Sequence, residues 1–104
     1  MARFDVYAHP DPASRKTTPF LLDVQNELIH GLDTRVVIPM RAVSRVRVPL
    51  RDLHPVFEVQ GSRVVLDTPA LAAVPCRELP KPVANLGAHR AEIVAAMDSL
   101  FGSC

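Results

Sequence analysis

The sequence contains no tryptophan, and its only aromatic side chains are Phe4, Tyr7, Phe20, Phe57 and Phe101. A surface that stacks single-stranded bases normally uses more of them. Its two cysteines, Cys76 and Cys104, have no CxxC spacing and no histidine pair beside them. A zinc site takes about four soft ligands, so no metal set is recognisable. In a reducing compartment both thiols are expected free. The four glycines, Gly31, Gly61, Gly87 and Gly102, are isolated from one another, which excludes a phosphate-cradling loop. No apolar run approaches the roughly 18–20 residues of a membrane-crossing helix. The opening "MARFDVYAHP" alternates, unlike the continuous apolar stretch of a signal peptide, so a cytoplasmic protein is expected. A net charge of +1 supplies no global field toward nucleic acid. Neither a serine nucleophile elbow, a paired-carboxylate motif nor an HExxH is present.

What remains is a chain of 104 residues, 48% hydrophobic and 22% charged, which fits one domain spanning 1–104. Ten prolines argue against an all-helical protein, and the apolar spacing is mostly two. "RFDVYA" sets Phe4, Val6 and Ala8 on one face and Arg3, Asp5 and Tyr7 on the other. "PFLLDVQ" repeats the pattern with Phe20, Leu22 and Val24. "TRVVIPM" and "PVFEVQ" are β-branched runs bounded by breakers. "EVQGSRVVLDT" reads as a hairpin turning around Gly61-Ser62. "TPALAAVP" predicts one short helical turn from Thr68, with Pro69 at its first position. "GAHRAEIVAAMDSLF" is the one long helix, with Ile93, Met97, Leu100 and Phe101 as its apolar stripe, Gly87 at its start and Gly102 ending it. The order of five strands followed by a helix predicts an antiparallel sheet or small barrel with a terminal helix.

Two segments suit partners. "HPDPASRKTTP" reads as a flexible loop longer than a tight hairpin needs. In "RAVSRVRVPLRD", Arg41, Arg45, Arg47 and Arg51 interleave with Val43, Val46, Val48 and Leu50. Such a stretch either contacts phosphates or an acidic peptide, or is a charged edge that discourages sheet-to-sheet aggregation. His9 lies near Asp11 and His54 near Asp52, but a general base needs a partner within hydrogen-bond reach. All four histidines, with His30 and His89, are read as surface or turn residues. A Cys76–His54 nucleophilic pair is possible only if the fold joins them. Patterning alone therefore indicates a binder rather than an enzyme.

"FLLDVQNELIHGLDTRVVIPM" strongly resembles a segment of the CcdB toxin family, in which an "F-x-x-DVQ" strand leads through an apolar-tipped turn to an "R-x-VIP" strand. "RFDVYAH" is similar to that family's opening strand. "DLHPVFEVQGSRVVLDTPALAAVP" is similar to its later strand and hairpin, and "VANLG" to the end keeps its spacing. The resemblance implies a mainly β, SH3-like barrel with a main antiparallel sheet, a small secondary sheet and a C-terminal helix. It also implies a homodimer that binds the A subunit of DNA gyrase and traps its cleavage complex, with no catalytic residue, metal or cofactor. A CcdA-like antitoxin, folding onto the toxin, would neutralise it, and operator DNA would be reached only through that antitoxin.

Carried over position by position, the resemblance assigns gyrase binding to Leu28, Ile29, Asp98, Phe101, Gly102, Ser103 and Cys104. Asp98 stands where well-known members have asparagine. The tail departs further, because well-known members end in Trp-Gly-Ile where this chain has Gly102, Ser103 and Cys104. A buried Trp anchor is worth about 2–4 kcal/mol on truncation, so weaker gyrase binding is expected unless something compensates. An acidic antitoxin segment is expected on Arg15, Lys16, Arg41, Arg45 and Arg47. Two alternatives stay open. One is a member that only dimerises and binds antitoxin. The other is a MazF-like endoribonuclease toxin of the same barrel superfamily, using Arg15, Thr17 and Thr18.

Overall fold

A computed structural model of the chain describes residues 1–29, 31–46 and 50–102. Its strands are β1 (Asp5–Ala8), β2 (Phe20–Asp23), β3 (Thr34–Ala42), β4 (Val56–Val59), β5 (Ser62–Leu66), β6 (Ala72–Pro75) and β7 (Ala84–Asn85). Helix α1 (Arg90–Phe101) follows, entered through a 3-10 turn at Gly87–His89. The strands run in the order β4-β5-β3-β2-β1-β7, with β6 pairing to the first half of β3, and every pairing is antiparallel. The result is a mainly β, nearly closed barrel with a C-terminal helix, as the resemblance implies. Two short strands, β6 and β7, were not among the five expected; both lie in proline-rich stretches where periodicity is too brief to read.

The spine is β3, whose β-branched residues suit a pleated, half-buried surface. Pro39 sits in its middle, where a missing N–H would normally break a ladder. The strand's outer edge passes from β5 to β6 at this point, and the intervening chain coils into a 3-10 turn at Thr68–Ala70. Pro39 keeps its one available bond there, accepting from the Asp67 N–H at 2.9 Å.

Phe4, Val6, Phe20, Leu22, Ile38, Met40 and Leu66 form the core under α1, together with Ile93. The alternation therefore reads the core face correctly. The other face of β1 is covered as well, with Tyr7 fully buried and Asp5 nearly so, which a period of two does not report. The hairpin is also displaced by one residue. Val59 pairs with Ser62, so the turn is Gln60-Gly61, both at positive φ (49° and 80°), the two-residue geometry that matches strand twist.

In α1, Ile93 and Ala96 are buried while Val94 and Met97 pack against the core. Phe101 leaves the expected stripe and is 69% exposed. Gly102 ends the helix as read, at φ 75° with its N–H bonded to the Asp98 carbonyl at 2.8 Å.

The "HPDPASRKTTP" loop is built rather than loose. Asp11 caps a 3-10 turn at Pro12–Ser14, accepting from the Ala13 N–H at 3.1 Å and the Ser14 hydroxyl at 2.9 Å. Those bonds hold the Asp11 carboxyl below its ordinary value, Ser14 contributing most. Arg15 Nε donates to the His9 carbonyl at 2.8 Å, and the Thr17 carbonyl accepts from the Ala42 N–H at 2.9 Å, tying the loop to the end of β3.

Candidate partner-binding surface

The "DVQ" triplet explains itself in space. Arg35 clamps Asp23 through two parallel bonds, Nε to Oδ2 at 2.7 Å and Nη2 to Oδ1 at 2.9 Å, with Asp23 wholly buried. The Tyr7 hydroxyl donates to Asp23 Oδ2 at 3.4 Å, and the Gln25 N–H donates to Oδ1 at 3.0 Å. Gln25 in turn accepts the Val36 N–H at 3.0 Å. Burial, reinforced by the Asp23 charge, pushes the Tyr7 phenol well above its usual range, and the Asp23 bond raises the Arg35 guanidinium. Each member of this buried set has a partner, the condition under which such a network holds a fold together.

Directly after it the chain turns outward. The Ile29 N–H bonds to the Asn26 carbonyl at 3.2 Å, and the Asn26 side chain accepts from the Leu28 N–H at 2.9 Å, an Asx turn. Leu28 at its tip is 83% exposed, and Ile29 and Leu32 are exposed beside it. Exposed apolar side chains held on a hydrogen-bonded turn are a feature that contacts with partners commonly use.

The turn borders a cleft of about 370 Å³ lined by Arg3, Asn26, Glu27, Leu28 and Arg90. Arg90 is the first residue of α1 and Phe101 the last. At 1.5 Å per residue, Phe101 lies about 16 Å further along the helix axis. Within one chain the turn pair Leu28 and Ile29 therefore neighbours the start of α1, while Asp98, Phe101 and Gly102 sit at its end. Asp98 is exposed, and its carbonyl is taken by Gly102. Ser103, Cys104 and Arg47 fall outside the described residues, as does His30.

Among the expected antitoxin contacts, Arg15, Lys16 and Arg45 are exposed. Arg41 is committed to the fold: its Nε donates to Asp67 Oδ2 at 2.6 Å and its Nη1 to the buried Thr18 hydroxyl at 2.8 Å. His54 pairs with Asp67 rather than Asp52, Nε2 to Oδ1 at 3.2 Å, while its Nδ1 accepts from the Leu50 N–H at 2.9 Å. His54 is the turn residue expected, closing the 50–54 turn through its N–H and its Nδ1, and its Nε2 contact ties that turn to Asp67 as well. His9 Nδ1 accepts from the Asp11 N–H at 3.0 Å, a turn contact. Cys76 Sγ lies 3.7 Å from the Leu32 carbonyl and does not meet His54. Thr17 and Thr18 are likewise occupied, by the Ser14 carbonyl and by Arg41, so Arg15, Thr17 and Thr18 do not converge as a ribonuclease site. Among the described residues no group of three or more His, Cys, Asp or Glu side chains is set to hold a metal, and no helix is long and apolar enough to cross a membrane.

Sequence reasoning missed Arg3, Arg90 and the Arg41–Asp67–His54 cluster. Arg41 and Asp67 are 26 residues apart, and no local pattern links them.

The molecule is a small antiparallel barrel that holds an exposed apolar turn beside a buried polar clamp. The chain matches the family described as CcdB protein over residues 3–102, and it belongs to that family. The family consists of non-enzymatic gyrase poisons. Membership implies a toxin of a toxin–antitoxin system, with gyrase as target and an antitoxin as partner. It also sets the ribonuclease alternative aside. No curated protein sequence matches the chain.

Proposed function

We propose that this chain is a single-domain, homodimeric toxin that binds the A subunit of DNA gyrase in the cytoplasm and traps the enzyme with its DNA cleaved. The observation that supports this reading most is the exposure of Leu28 at 83% and Phe101 at 69%, two large apolar side chains uncovered where the resemblance assigns the gyrase surface. Together with Ile29, Asp98, Gly102, Ser103 and Cys104 they form the docking surface in this reading. The turn and the helix end lie at opposite ends of α1, and a two-fold axis offers each to a symmetric target twice. A CcdA-like antitoxin with an acidic, disordered segment folds onto Arg15, Lys16, Arg45 and Arg47, releases gyrase and supplies DNA binding for operon autoregulation. Arg41 contributes by holding the end of β3.

The test is a plasmid cleavage assay with purified gyrase. Linear DNA released after detergent and protease is the expected result, and its absence at micromolar toxin overturns the reading. A second reading draws on the tail, which turns left-handed at Gly102 and carries no tryptophan. In it the chain dimerises and binds antitoxin without poisoning gyrase. Gyrase-dependent growth arrest on expression without antitoxin excludes that second reading.

A further inference from the structure

Phe4 is one of two non-glycine residues at positive φ (70°) among the described residues, a strained setting for an aromatic residue, and it is held there on both sides. Its N–H bonds to the Asp23 carbonyl at 2.6 Å, and its carbonyl accepts the Leu86 N–H at 2.9 Å. The ring is buried, yet two guanidiniums rest on it, Arg3 at 4.8 Å and Arg90 at 5.7 Å from its centroid. Of its guanidinium, Arg3 spends only Nε, on the Val24 carbonyl at 3.2 Å, and the Arg90 guanidinium rests on the ring with no side-chain hydrogen bond among the described residues. Glu27 is the nearby acid, and its Oε1 accepts the Arg3 main-chain N–H at 3.1 Å. Two like charges are thus fixed on one ring, next to exposed Leu28, with the Glu27 carboxylate lining the same cleft and most of the guanidinium donors unused. An incoming anion relieves that repulsion and finds a preorganised fork.

We infer that the cleft between the 26–29 turn and the start of α1 accepts an acidic side chain of the gyrase A subunit, bonded by Arg3 and Arg90 while an adjoining apolar group covers Leu28. This rests on the gyrase reading above and names the chemistry of the surface that site meets. Continuity with Leu28 selects gyrase as the occupant. A charge pair at an interface sets both rate and register.

The experiment measures binding of the full chain to purified gyrase A subunit, without DNA, across a salt series. Arg90→Glu is expected to weaken binding at least tenfold and flatten its salt dependence. Arg90→Lys should retain most of the affinity, and Glu27→Gln should tighten it a few-fold, a gain that a merely structural role does not give. Unchanged affinity and salt slope in Arg90→Glu and Glu27→Gln, with the native chain binding, overturns the inference alone. No binding by the native chain overturns the gyrase reading together with it. If the Arg90→Glu loss is seen only when cleaved DNA is present, the occupant is a DNA phosphate and the proposal fails. Arg90 is exposed, and matching melting temperatures for all variants exclude loss of fold as the cause.

Discussion

Two neighbouring stretches invert the usual division of residues between inside and outside. "DVQ", residues 23–25, buries an aspartate, a glutamine and, across the sheet, an arginine, while "NELI", residues 26–29, exposes leucine and isoleucine. Neither makes sense alone, since buried charges cost stability unless fully paired and exposed apolar tips invite aggregation. Side by side they form one device. The Asp23 and Gln25 side chains stitch the end of β2 to Arg35 and Val36, so the turn departs from a base that cannot slide. Leu28 can then be held out without local collapse onto the core. One stretch fixes position, and the other uses it.

The comparison breaks most sharply at Asp23. Asp23→Ala leaves the Arg35 guanidinium buried without its bidentate partner and should cost about 3–5 kcal/mol, read as a lower denaturant midpoint at unchanged slope. Replacing the pair together, Asp23→Leu with Arg35→Met, should recover much of that loss, because the penalty belongs to the orphaned charge. Gyrase binding should fall with Asp23→Ala by more than the unfolded fraction accounts for, because the base of the turn is loosened.

Leu28→Asp is the converse. Stability should stay within about 0.5 kcal/mol, as for most exposed positions, while affinity for the gyrase A subunit drops about 10- to 100-fold, the range of a lost anchor. Phe101→Ala should act in the same direction and more weakly on this chain than on one whose helix continues into a tryptophan. Isothermal titration, with melting temperature as control, separates the two classes. If Leu28→Asp instead destabilises the fold, the turn is a packing element and the comparison fails.

The same pair of stretches shows what was legible beforehand. The core face followed from alternation in β1 and β2, and the helix from its period and its terminal glycine, because both are local patterns of burial. The motif "F-x-x-DVQ" with "R-x-VIP" pointed to the family, although its physical content, a buried clamp across 12 residues, emerged only in three dimensions. The burial of Tyr7 was not legible, because a period of two reports which residues share a face, not whether the second face is covered. The partner of His54 was not legible either, because nearness to Asp52 in sequence competes poorly with a strand end that brings Asp67 and Arg41 together. Arg3 and Arg90 were invisible as a pair, since only the kinked Phe4 unites them.

The smallest effect expected is at Tyr7, the single tyrosine of the chain. Burial raises its phenol pKa well above the ordinary 10, with Asp23 adding to the shift. A raised folded value means that the contribution to stability is complete below pH about 10 and is lost as pH climbs from there toward the folded value, because the unfolded phenol ionises first. The Arg35 guanidinium is also raised by its Asp23 bond, from an ordinary value already above that of tyrosine, so its own loss begins at still higher pH. Between pH 10 and about 12 the Tyr7 share of any decline should vanish in Tyr7→Phe. That variant gives up one long hydrogen bond, 3.4 Å, and should cost about 1 kcal/mol or less at neutral pH. With no tryptophan present, tyrosinate absorbance reports this one residue. It should stay silent in the folded protein through pH 11 and rise only with unfolding. A tyrosinate signal at pH 10 in the folded protein would mean that the hydroxyl meets water, and the polar stretch would then be no more enclosed than the apolar turn beside it.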